Sequence, residues 1–135
     1  MNEIVVFLAR WALGSYLLWN AVNHYKSLEA LTGYASYKGL RYARELVIVS
    51  GVLLAVTGLS VYGLLVPGWV GAITAALFFV PVSVKMHDYW NIHVPTPTPN
   101  NVAERSELAQ ARQMDQVQFT KNLAILAGLL LVLLA

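Results

Sequence analysis

His87, Asp88, Asn91 and His93 crowd one short stretch of this chain, just after a long apolar run, and Lys85 lies immediately before them. Imidazoles beside a carboxylate can relay protons near neutral pH or ligate a metal. If the preceding helix continues, His87 and Asn91 share a face and Asp88 points about 100° away. His24 closes the first apolar run on the same side. His24, His87, Asp88 and Asn91 are therefore the candidates for meeting a ligand, such as a quinone head, at a common mouth. The spacings match no metal motif, so no metal ligand is assigned. The competing reading, plain hydrogen bonding where helices end, is preferred for the cluster.

Two further charges matter. Arg10 is the one formal charge well inside an apolar run. A charge in hydrocarbon costs roughly 2.5 kcal/mol or more, so Arg10 needs an outlet. It either snorkels to the near interface, about two turns away, or meets an interior partner, a lipid phosphate or a quinone carbonyl. Lys121 opens the last apolar run and is expected to pair with Asp88, tying the last helix to the third. The chain has no cysteine, which removes disulfides, thiolate nucleophiles and iron–sulfur clusters together. No flavin motif or intramembrane haem-ligating pair is visible, so electron transfer lacks a cofactor of its own. No catalytic residue is assigned, and whether the chain is an enzyme stays open.

Positioning these residues falls to apolar segments. Hydrophobic residues make up 58% of the 135 and charged residues 12%, against about 25% in an average soluble domain. One soluble core could not hide that much apolar surface, so the excess faces lipid. This argues against a soluble enzyme, and the net charge of +2 calls for no nucleic acid. Leu46 to Val84 carries no charge and is long enough for two spans of about 20 residues each. Pro67-Gly68 is the natural break, giving spans over 46–66 and 69–86. Ile4–Val22 is another span; Glu3 and the absence of an early basic residue favour a retained helix over a cleaved leader. A short last span covers 119–135. The expected fold is all-α, a single four-span bundle.

The connections are amphipathic. Asn23–Glu45 interleaves Tyr25, Tyr34, Tyr37 and Tyr42 with Lys26, Lys38, Arg41 and Arg44, which suits the headgroup level. Gly33 and Gly39 argue against one long helix there. Pro95, Pro97 and Pro99 form an extended spacer. Asn101 with Glu104 suggests a helix cap. Leu108, Ala111, Met114 and Val117 recur at helical spacing, predicting a surface helix before the last span. Gly51, Gly58, Gly71 and Ala75 offer close helix contact. Every basic residue except Arg10 lies in or beside the two long connections, which places those in the cytoplasm and both termini outside.

The residues Arg10-Trp11-Ala12-Leu13-Gly14 with Leu17-Leu18-Trp19 resemble the first span of the DoxX-like membrane proteins. Gly51 and Gly58 in the second span, His87-Asp88-Tyr89-Trp90 after the third, and Phe119-Thr120-Lys121-Asn122 running to Gly128 are similar to the same family in order and spacing. His24 stands where members often carry lysine, and aliphatics around Ile48 where they often carry glutamate. The resemblance implies a four-helix membrane bundle. It further implies a subunit or accessory protein in a larger complex, or a quinone-interacting subunit of the thiosulfate:quinone oxidoreductase type.

Overall fold

The computed structural model describes residues 2–135, and these form five α-helices and one short 3-10 turn. They are α1 (Glu3–Lys26), α2 (Leu28–Tyr37), α3 (Ala43–Tyr62), α4 (Gly68–Met86) and α5 (Val102–Leu134), with the turn Tyr89–Asn91 after α4. All but α2 are long and apolar enough to cross a membrane. The protein is an all-helical, multi-pass membrane protein in form. Packing follows chain order: α1 lies chiefly on α3, α3 on α4, and α4 on α5, while α2 covers the start of α3. The shared core draws Leu17 and Ala21 from α1, Leu54 and Val61 from α3, Ala75 and Phe79 from α4, and Leu129 and Leu133 from α5.

Helix ends follow local chemistry and correct several expected boundaries. Span two ends at Tyr62, four residues before the expected Val66, because Gly63 adopts φ 77°. Its left-handed conformation lets the Leu64 N–H reach back to the Leu59 carbonyl, closing α3. The turn is therefore Gly63–Pro67, and Pro67 caps α4 rather than forming the bend with Gly68. Gly39 repeats the device with φ 84°: the Leu40 N–H bonds the Ala35 carbonyl and stops α2 at Tyr37, leaving Lys38 as its cap. Gly33, expected to interrupt this connection, lies inside α2.

The expected bend between a surface helix and the last span is also absent. Val102–Leu134 is one helix, about 50 Å long by its rise per residue. Its inward side is set by Leu126, Leu129 and Leu133, and the same seven-residue phase carried back selects Asn122 and Asp115. Ala111, Met114 and Val117 consequently point away, Met114 67% exposed, while Leu108, seven residues before Asp115, is half-buried. Asn101 does not cap α5 with its side chain; it accepts from the Thr98 N–H and donates to the Thr96 carbonyl, folding the proline spacer. Arg105 Nε holds that spacer against α5 through the Pro95 carbonyl at 2.7 Å.

Small residues set the spacing of the spans. A Cβ on Gly58 would lie 3.0 Å from the Leu18 side chain and 3.3 Å from the Gly14 carbonyl, so α1 and α3 touch almost backbone to backbone. Thr57 Oγ1 bonds Thr74 Oγ1 at 2.7 Å, a polar link between α3 and α4. Gly71 lies so close to Ser60 that any added Cβ would collide with its short side chain. Gly71→Ala should lower thermal stability in detergent by about 1–3 kcal/mol, an overpacking cost. Gly128→Ala, with open space around it, should be neutral or stabilising by up to about 1 kcal/mol. Parallel thermal melts of the two variants check the contrast.

Candidate functional site

Three elements converge where α4 leaves the apolar layer. The end of α2 brings Tyr34 and Lys38, the segment after α4 brings His87 and Asp88, and α5 brings Asp115. Lys38 Nζ lies 2.8 Å from Asp88 Oδ1 and 3.0 Å from Asp115 Oδ2. The other Asp115 oxygen receives His87 Nδ1 at 3.3 Å; with a carboxylate as partner, Nδ1 is the donor. The single Tyr34 hydroxyl proton is shared between that same oxygen at 3.4 Å and the Met86 carbonyl at 3.2 Å, one of the carbonyls left unpaired as α4 ends. Asn91 Nδ2 donates to Asp88 Oδ2 at 3.0 Å. Tyr89 and Trp90 pack edge-on against Phe119, seating the 3-10 turn on α5.

The cluster is well enclosed: the Lys38 side chain is 11% exposed and that of Asp115 10%. Burial works against the Lys38 ammonium, but the hydrogen bonds to Asp88 and Asp115 outweigh it and hold its pKa above the ordinary lysine value. For Asp88, burial pushes upward while Asn91 and Lys38 pull down more strongly, so its carboxyl stays below the usual range. Tyr34 is raised, first by burial and then by the Asp115 charge. Two carboxylates face one ammonium, and the His87 ring N–H and the Tyr34 hydroxyl share the surplus negative charge.

The expected site residues are only partly brought together. His87, Asp88 and Asn91 do meet, although α4 stops at Met86, so Asn91 reaches Asp88 from a separate turn rather than sharing a helix face with His87. His24 does not join them. Its Nδ1 bonds the Asn20 carbonyl, and its ring sits edge-on to Phe78, about two turns deeper than Met86. His93 is exposed. The expected Lys121–Asp88 pair is replaced by Lys38–Asp88, and Lys121 is exposed because its neighbour Asn122 takes the inward position. Arg10 lies at the opposite mouth, donating from Nη2 to the Val132 carbonyl at 3.1 Å. Among the described residues, no three His, Asp or Glu side chains are grouped to hold a metal.

Lys38, Asp115 and Tyr34 were not among the candidates, and each left a trace in the sequence. Asp115 stands seven residues before Asn122 and fourteen before Leu129, in phase with the buried stripe. Lys38 immediately precedes a glycine able to end a helix. Set against family models, curated proteins and solved structures, the chain matches none. What the site does must therefore be read from its own geometry.

Lys38→Met should leave two enclosed carboxylates without their cation and cost about 3–5 kcal/mol, read as a large drop in melting temperature in detergent. The pH response has a fixed sign. Because the folded Asp88 pKa is depressed, its contribution is present above the ordinary aspartate pKa and is lost as pH falls through the lower folded value. Thermal melts should thus weaken from neutral pH into the acid range. Asp88→Asn should flatten that acid limb.

Proposed function

We propose that this chain is an integral membrane subunit or accessory protein that packs within a larger membrane complex and performs no catalysis of its own, in line with its DoxX-like resemblance. The observation that supports this most directly is how the polar cluster is spent. Lys38, Asp88 and Asp115 direct their charges at one another, and Tyr34 and Asn91 complete them. Such a cluster locks α2, α4 and α5 together rather than offering a reactive group. The outer spans each rest on one principal neighbour. Their outward sides carry Phe7, Trp11 and Trp19 on α1 and Leu123, Leu131 and Leu134 on α5, surfaces suited to lipid or to neighbouring subunits. We place the two long connections in the cytoplasm, following their basic residues.

One observation favours a second reading, a quinone-interacting subunit. His87 commits only Nδ1 to Asp115, and its other ring nitrogen has no hydrogen bond within the described residues. A His–Asp pair at a membrane mouth could pass a proton to a quinone head.

Purification from the native membrane in mild detergent separates the two. The subunit reading expects stoichiometric partner chains in native mass spectra. A chain recovered alone with quinone bound, in an activity lost in His87→Gln, would overturn it in favour of the second. The absence of native cysteine makes orientation testable: Thr96→Cys should react with an impermeant thiol reagent only after the membrane is opened.

A further inference from the structure

The mouth opposite the Lys38 cluster holds a charge that internal bonds do not use up. Arg10 spends one guanidinium N–H on the Val132 carbonyl, and its other donors find no partner among the described residues. Glu3 stands two turns away on the same side of α1, and no ion pair joins them. An open groove of about 330 Å³ runs between them, lined by Glu3, Val6, Phe7, Arg10, Trp11 and Tyr62. The Tyr62 hydroxyl is already engaged by Ser15, so the guanidinium and the Glu3 carboxylate are the charged groups left for a ligand.

Depth decides which ligand. A Cβ on Gly63 would lie 3.9 Å from Arg10 Nη1, and Val132 accepts from the same guanidinium. Helix α3 therefore ends level with the Arg10 guanidinium, while α1 continues outward to Glu3, about 10 Å further by its rise. That overhang exposes Ile4, Val5, Phe7 and Leu8, and the adjoining turn exposes Leu64 and Leu65, the latter 97%. Such surfaces belong in lipid, so the headgroup level on this side lies near Glu3 and the guanidinium sits beneath it. A cation there needs an anion drawn down to it.

We propose that this groove holds one phospholipid with an amine headgroup, its phosphate in the Arg10 fork and its ammonium on the Glu3 carboxylate. An acyl chain then leaves inward past Trp11, with Val6 and Phe7 flanking the headgroup. The planar guanidinium matches phosphate through paired hydrogen bonds. Glu3 in the same groove selects a zwitterionic headgroup over a net anionic one, and the apolar walls select a lipid over free phosphate. This inference rests on the membrane placement alone and is independent of the subunit reading.

The test uses the full chain in mild detergent with an equimolar mixture of phosphatidylethanolamine, phosphatidylglycerol and phosphatidylcholine, read by native mass spectrometry. Wild type should retain one phosphatidylethanolamine. Arg10→Gln should weaken retention about tenfold, as loss of a charge-assisted contact implies. Glu3→Gln should keep its melting temperature and lose the preference for phosphatidylethanolamine over phosphatidylglycerol. If Arg10→Gln folds poorly, Arg10→Lys, which keeps the charge but not the fork, should retain lipid at an intermediate level. Equal retention of the three lipids by wild type, retention unchanged in both Arg10 variants, or displacement by inorganic phosphate alone would each overturn the site.

Discussion

A lipid solvent removes the force that builds most protein cores, because hydrocarbon chains are as apolar as the side chains they would be traded for. Helices in that solvent hold together through close contact and through polar links that have no water to compete with them. The Gly14–Gly58 approach, the Gly71–Ser60 contact and the Thr57–Thr74 hydroxyl pair are answers to that constraint within the spans. So is the heavy exposure of aromatic and aliphatic side chains on every span, which would be a defect in water.

Outside the apolar layer a different economy applies, and charge does the joining. The Lys38 cluster depends on three local events that coincide in space. Gly39 closes α2 so that Lys38 caps its end, α4 gives out at Met86 so that His87 and Asp88 leave the helix, and α5 runs on without a break so that Asp115 arrives opposite them. Removing any one would strand the other charges in an enclosed place, where an unpaired ion is costly. The two mouths of the bundle therefore differ in kind. One is closed by charges that satisfy each other, while the other leaves a guanidinium with donors to spare beneath an apolar overhang.

Periodicity and helix punctuation made much of the fold legible. Three apolar runs of spanning length and a shorter fourth, the break near Pro67 and the end of α4 at Met86 could be read directly, since each depends on residues adjacent in the chain. The exact turn between α3 and α4 was obscured because Pro67 is the more conspicuous breaker, although Gly63 acts first. The charged partners were misassigned for a related reason. Lys121 is close to the apolar layer by count and Lys38 is not, so proximity in sequence favoured the wrong lysine. Asp115 was in phase with the buried stripe of α5, but Ala111, Met114 and Val117 at helical spacing competed with it and looked more like a packing face.

Composition and hydropathy alone determined that the chain crosses lipid and how many times it can, because burial in hydrocarbon is a property of contiguous segments. They also determined which residues carry charge near the ends of the spans. Which charges meet was decided only in three dimensions. The pairing of Lys38 with Asp88 and Asp115, the depth of His24 and the placement of Arg10 at the far mouth depend on how helices rotate and slide against one another. Those motions are set by the small-residue contacts summed over several helices, and no single stretch of the chain contains them.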